Sequence, residues 1–517
     1  MAERSTQPKS TDSTARFRFH RGLLAQLGVV GAFSSYPFLI FVSDNRGAGI
    51  GIGEVIHFPA ALALLGSSAV LIAWQARGSS GADRTTVAFA AAIFASFNYD
   101  NLTIALEPLD LSVRALVATW SVLTTMIVVA AVILATRRAT MAYVLIVGTA
   151  LTVLPALQLG TFHATNAKAD PLDGSADAGR AFKRRPDIYY FMPDAYARAD
   201  QLREQVGFDN EDFLAELRGR GFSVNDTAYA SYPLTYVSVP SVLEMDYMAE
   251  PGNNVLVSRD RFYEVLRGDS ALVNRLRGEG YAHVQAPPGT WGGSKCDGSE
   301  DLCVDPIAEG VLGARLGEVH WSLLDLTPAA TLLERFFSEE LIHPIADPSH
   351  VVRTIEAAEL DRPVFAFVHM LQTHPPFHVD AHCQSVEGSQ DLTEWSEESK
   401  PNYVDTVRCV NRQLLAAIDV IDPAAVVVIQ SDHGTEYDIP WDDLSSWDDN
   451  VIEQRLSVLN AVRLPRGCRE LVQPPPSGVN TFRLVVACLE ARTPDLLPQR
   501  NFIASYRSEQ VIELAPR

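Results

Sequence analysis

The chain has 517 residues, 47% of them hydrophobic, with a formal net charge of −21; that length exceeds one ordinary domain. The charge is unevenly spread, since residues 1–164 hold 11 basic and 8 acidic side chains while residues 165–517 hold 31 and 55. So acidic a second part repels nucleic acid at long range. It argues against nucleic acid as a partner and asks for a local cationic trap, such as a metal, if the substrate is anionic.

In chain order, the tail 1–21 carries Arg4, Lys9, Arg16, Arg18 and Arg21. Five apolar runs follow over 22–43, 55–76, 86–99, 115–136 and 140–161, and together they predict a membrane bundle over 22–162. A helix of 22 residues rises about 33 Å, enough for the hydrocarbon core. Arg77 and Arg84 lie between the second and third runs and Arg137 and Arg138 between the fourth and fifth, while alternate loops carry Asp44, Asp100, Glu107 and Asp110. The positive-inside rule then sets the N-terminus in the cytoplasm and everything beyond about residue 162 outside. Apolar runs continue past any plausible cleavage site, so a cleaved signal peptide is not expected.

All six cysteines fall in the part assigned outside. An even number in an oxidising compartment suggests up to three disulfides. Sequence proximity favours Cys296 with Cys303 and Cys468 with Cys488, leaving Cys383 with Cys409.

Residues 163–186 lack apolar periodicity and read as a linker, and 187–517 as the outer domain. Candidate strands are 187–193, 364–371, 425–430 and 456–464, with helices over EDFLAELRGRGF (211–222) and near 259–278, 349–360, 402–420 and 479–491. Unalternating apolar strands separated by helices imply an α/β domain with a mostly parallel sheet sandwiched by helices. Its site belongs at the carboxyl ends of strands.

Three polar clusters sit at such ends: Asp194, then His369 and His374, then Asp432-His433. Each alone has a plainer reading, a helix cap for Asp194, a structural turn for Ser431-Asp432-His433-Gly434, and a core histidine for His369. Together, two carboxylates and an imidazole suit one divalent zinc or manganese ion, magnesium being less favoured by the nitrogen ligand. The stretch SYPLTYVSVPSVLEMDY (231–247) offers Thr235, Ser238 and Ser241 as nucleophiles that a metal could activate.

The ordered set of Asp194, T-x-x-S-V-P at 235–240, H-x₄-H at 369–374 and S-D-H-G at 431–434 resembles the alkaline phosphatase and sulfatase superfamily, over about 187–500. Within it the pattern is similar to bacterial membrane-anchored phosphoethanolamine transferases and lipoteichoic acid synthases. The resemblance implies an alkaline phosphatase-like domain on the outer side of a bacterial plasma membrane. It implies Thr235 as metal-bound nucleophile, Asp194, Asp432 and His433 as further metal ligands, and His374 and His369 beside the transferred phosphoryl group. Tyr232, Ser238, Glu436 and Arg198 are plausible neighbours. His378, Asp380 and His382 form an H-x-D-x-H run suited to a second metal or, as the plainer reading, to a solvated loop.

The implied activity is a phosphotransferase moving a phospho-alcohol head group from a membrane phospholipid to a cell-envelope glycan or lipid through a phosphothreonine. The alternative is a phosphodiesterase, phosphatase or sulfatase-like hydrolase using the same threonine. A formylglycine-type sulfatase would need Arg where Val242 stands. Ser231 and Ser241 replace the cysteines that flank the nucleophile in many of the transferases, Asp194 stands where they usually have Glu, and TEYDIPWDDLSSW replaces their continuation after Gly434.

Overall fold

A computed structural model describes residues 12–45, 50, 52–106, 109, 111–166, 180–249, 255–256, 259–288, 292–304, 318–336, 347–377, 379–386, 395–441, 443–468, 471, 473–505 and 511–515. The expected tail before residue 12, most of the 163–186 linker and His378 lie outside them. Two units emerge, one of residues 1–46, 50–167 and 319–336, the other of 47–49, 168–318 and 337–517.

In the first unit, the helices Asp12–Asp44, His57–Ser96, Val113–Leu134 and Arg138–Asn166 are long and apolar enough to cross a membrane. His57–Ser96 is a hairpin. Gly78, at φ +67° and ψ −162°, breaks it, adopting backbone angles that favour glycine. A Cβ on Gly66 would meet Phe89 at 2.8 Å and one on Gly81 would meet the Ala73 carbonyl at 2.9 Å, pairings possible only if the chain doubles back near Gly78. The two halves account for the runs expected over 55–76 and 86–99. Gln26 donates to Asp83 at 2.8 Å and Ser43 to Gln158 at 3.0 Å, pairings that a medium without water favours. The short helices Glu318–Asp325 and Pro328–Phe336 group with this unit, where Val319 and Leu323 pack with Phe38, Phe41 and Leu159.

The second unit is built on a seven-stranded sheet of β1 (Ile188–Pro193), β2 (Ser223–Val224), β3 (Ala282–Ala286), β4 (Leu302–Cys303), β5 (Val364–Met370), β6 (Val426–Gln430) and β7 (Asn460–Arg463), in the order β2-β7-β6-β1-β5-β3-β4. The five strands from β6 to β4 are mutually parallel. The expected strand 456–464 is shorter and runs antiparallel to β6, because the helix Asp449–Leu456 takes its beginning and returns the chain from the opposite end. Strand periodicity sends alternate side chains to opposite faces. Tyr190 and Met192 enter one core with Val237 and Phe482, and Tyr189 and Phe191 enter another with Val407 and Leu414. The expected helix 259–278 is two, Arg259–Leu266 and Ala271–Gly278, divided by Gly268 at φ +106°. All six cysteines are paired, Cys296 with Cys303, Cys383 with Cys409 and Cys468 with Cys488, as sequence proximity favours.

Candidate functional site

Strands β6, β1 and β5 are adjacent and parallel, so their carboxyl ends meet at one edge, where an open α/β sheet presents ligand-binding groups. Met192 pairs in register with His369. Asp194 follows β1 directly and its amide donates to the Met370 carbonyl at 2.8 Å. Asp432 and His433 lie just beyond β6. The two turns are laced together: Asp432 Oδ1 accepts from the Ala195 amide at 3.1 Å and Ser431 Oγ from the Tyr196 amide at 2.8 Å. Thr235 starts the helix Thr235–Glu244 after an extended Leu234, at the end where free amides and the helix dipole favour an anion. Ser238, one turn on, donates to the Asp432 carbonyl at 2.7 Å, which fixes the Thr235 helix to the Asp432-His433 turn.

The geometry brings the sequence-predicted groups together. Thr235 Oγ1 lies 3.0 Å from His433 Nε2 and 3.4 Å from Asp194 Oδ2. His433 Nε2 is 3.2 Å from Asp432 Oδ2 and 3.5 Å from Asp194 Oδ1. Those two carboxylate oxygens are buried and, among the described residues, have no hydrogen-bond partner, a costly arrangement unless a cation satisfies them. His433 Nδ1 donates to the Gly434 carbonyl at 2.9 Å, which leaves Nε2 as a free lone pair, the orientation a metal-binding histidine needs. Asp194, Asp432 and His433 each offer an atom within 4.8 Å of the others. The set fits one divalent cation accepting mixed oxygen and nitrogen ligands.

Electrostatics agree with the geometry. Burial, and then the neighbouring Asp194 charge, push the Asp432 carboxyl up to about 8: two buried carboxylates this close cannot both ionise without a counter-ion. Burial would raise Asp194 too, but the His369 hydrogen bond and the histidines around it hold it below the usual carboxylate range. Burial, and then the Arg455 charge, hold His433 well below its ordinary value, hence neutral.

His369 is fully buried, with Nε2 at 3.3 Å from Asp194 Oδ2 and Nδ1 at 2.9 Å from Ser294 Oγ. His374 is half-buried; its Nδ1 donates to the Pro375 carbonyl at 2.7 Å, and its ring lies 6.4 Å from that of His433. Tyr232 stands back, its hydroxyl accepting from the Met248 and Ala249 amides. Arg198 is held by Asp200 and the Ala228 carbonyl. Asp380 accepts from the amides of His382 and Gln384, the hydrogen bonds of a turn. Sequence reading missed Ser294, Thr373, whose hydroxyl donates to the Asp194 carbonyl, and Arg455. Thr373 is an unspecified position inside H-x₄-H, while Ser294 and Arg455 stand in no motif and are brought in from elsewhere in the chain.

Residues 206–445 match the sulfatase family model. No curated protein matches the chain. Among solved structures, the chain is similar to the integral membrane lipooligosaccharide phosphoethanolamine transferase EptA from Neisseria meningitidis, at 13% identity and TM-score 0.42 over 90% of this chain and 95% of that one. It is also similar to the periplasmic domain of EptC from Escherichia coli in complex with Zn, at 12% identity and TM-score 0.42 over 65% and 94%. A third is the phosphonate monoester hydrolase of Agrobacterium radiobacter, at 13% identity and TM-score 0.38 over 62% and 80%.

Proposed function

Taking residues 206–445 as a domain of the sulfatase family, we propose that the protein is a metal-dependent phosphotransferase. It moves a phospho-alcohol head group, such as phosphoethanolamine or phosphoglycerol, from a membrane phospholipid to a cell-envelope glycan or lipid. The carrying observation is that the Thr235 hydroxyl meets Asp194 Oδ2 and His433 Nε2 beside Asp194 Oδ1 and Asp432 Oδ2, which are buried without a hydrogen-bond partner among the described residues. The charge pattern of residues 1–164 supports an extracytoplasmic site, with the first unit anchoring it in the plasma membrane.

Asp194, Asp432, His433 and Thr235 would hold one zinc or manganese ion. When bound, the ion supplies charge that stabilises an ionised hydroxyl and neutralises phosphoryl oxygens. Thr235 Oγ1, its proton released to solvent, attacks phosphorus; the bond to the lipid alcohol breaks, and a protonated His374 gives that alcohol its proton. The phosphothreonine is then attacked by an acceptor hydroxyl, whose proton His374 takes up. His369 holds Asp194 in place for both steps. The amides at the start of the Thr235 helix face the developing negative charge.

The test incubates the full-length protein in nanodiscs with head-group-labelled phospholipid and follows intact mass and label. An adduct that maps to Thr235, is absent from Thr235→Ala and passes to an added glycan supports the transferase. Passage to water alone selects a hydrolase with the same nucleophile. Full activity of Thr235→Ala overturns both.

A further inference from the structure

Arg455 lies on the helix Asp449–Leu456, about twenty residues beyond His433, and its side chain is fully buried. Burying a guanidinium costs several kcal/mol unless its donors are used well, so what it holds is informative. Its Nε donates to the Pro233 carbonyl at 2.7 Å, two residues before Thr235, and its Nη1 donates to the Gly434 carbonyl at 3.1 Å, one residue after His433. The Gly434 carbonyl also accepts His433 Nδ1, and the Gly434 amide returns a hydrogen bond to the Arg455 carbonyl at 2.7 Å. A single side chain therefore ties the turn that launches the nucleophile to the turn that aims the metal-binding imidazole.

The stretch TEYDIPW, which matches no motif, supplies the support for this clamp. Glu436 Oε2 lies 3.2 Å from Arg455 Nη1, the Trp441 indole N–H donates to Glu436 Oε1 at 2.6 Å, and the guanidinium sits 5.0 Å over the Trp441 ring. A planar fork on two carbonyls, backed by a carboxylate and an aromatic face, is a geometry lysine cannot reproduce. Nη2 is buried without an acceptor among the described residues.

We infer that Arg455, held by Glu436 and Trp441, is a positioning residue that sets Thr235 against His433. The inference rests on the function proposed for that site. A shift of about 1 Å at a reacting atom costs on the order of a hundredfold in rate, and loosening a ligand's outer partner costs about ten- to a hundredfold in metal affinity.

The experiment compares full-length wild type, Arg455→Met, Arg455→Lys, Glu436→Gln and Trp441→Phe for kcat and KM on a generic phosphodiester. Zinc affinity is measured separately by competition with a chelating dye. For Arg455→Met, kcat is expected to fall at least about tenfold with KM within about twofold, and zinc binding to weaken by about tenfold or more. Lys should recover only part of either loss, and Glu436→Gln and Trp441→Phe should shift both the same way by less. A folded Arg455→Met with wild-type kcat and zinc affinity overturns the inference; if that variant does not fold, wild-type values in folded Glu436→Gln and Trp441→Phe do the same. Zinc affinity that falls in Arg455→Met while wild type forms no Thr235 adduct removes the phosphotransferase reading and leaves the clamp standing.

Discussion

Thr235 Oγ1 and His433 Nε2 stand 3.0 Å apart, although 198 residues separate them in the chain. With this hydroxyl as the proposed nucleophile, Thr235→Ala should abolish the phospho-adduct and lower turnover by at least about a thousandfold, a loss typical of removing a covalent nucleophile. Thr235→Ser keeps the oxygen but loses the methyl that restricts its rotamer, so it should retain measurable turnover and form an adduct at serine. Intact-mass analysis after substrate mixing reads both.

His369 and His374 are separable. His369, fully buried between Ser294 and Asp194, orients a metal-type carboxylate; His369→Ala is expected to weaken zinc binding by about ten- to a hundredfold, with Ser294→Ala shifting it the same way by less. His374 touches neither carboxylate oxygen by hydrogen bond among the described residues. Its loss should lower kcat by about a hundredfold or more, the usual scale of general acid catalysis, with zinc affinity unchanged. Calorimetric zinc titration beside steady-state kinetics distinguishes the two.

What the chain discloses about itself follows from how local each signal is. Asp194, Asp432 and His433 sit within three residues of strongly apolar strands, so strand-end logic reaches them, and Thr235 stands in a recognisable T-x-x-S-V-P. The hairpin in His57–Ser96 was legible because a polar stretch around Gly78 interrupts the apolar run. The antiparallel sense of β7 was not, since strand direction depends on where the preceding helix ends. Arg455 was invisible because its partners are carbonyls of residues 233 and 434, and a carbonyl has no residue type. The resemblance sets His369 beside the transferred phosphoryl group, and what the sequence does not disclose is that its ring is fully buried between Ser294 and Asp194.

Gly434 is close to helix Asp449–Leu456. A Cβ there would meet the Gln454 carbonyl oxygen at 2.1 Å and the Ser457 carbonyl oxygen at 3.2 Å, and backbone atoms cannot rotate away as a side chain tip can. Gly434→Ala should therefore push the Asp432-His433 turn off its helix, costing about 1–3 kcal/mol of stability as overpacking does. Zinc affinity should fall with it. The prediction fails if thermal denaturation and zinc titration of the folded variant both match wild type.

His283 carries a pH dependence remote from the site. Its ring is buried against Gly268, where a Cβ would meet Cε1 at 2.5 Å, and Arg277 Nη2 approaches Nδ1 at 3.4 Å. Burial, and then the Arg277 charge, bring its pKa down to about 4, against about 6.5 in the unfolded chain. The folded pKa is depressed, so the neutral ring's contribution is fully present above about pH 6.5. As pH falls toward 4 the unfolded chain takes up a proton the folded one refuses, and stability declines by at most about 3 kcal/mol from this residue. His283→Gln cannot titrate, so the drop in melting temperature between pH 7 and pH 4.5 should be smaller in the variant than in wild type. Equal drops in the two proteins would show that the ring does not control acid sensitivity.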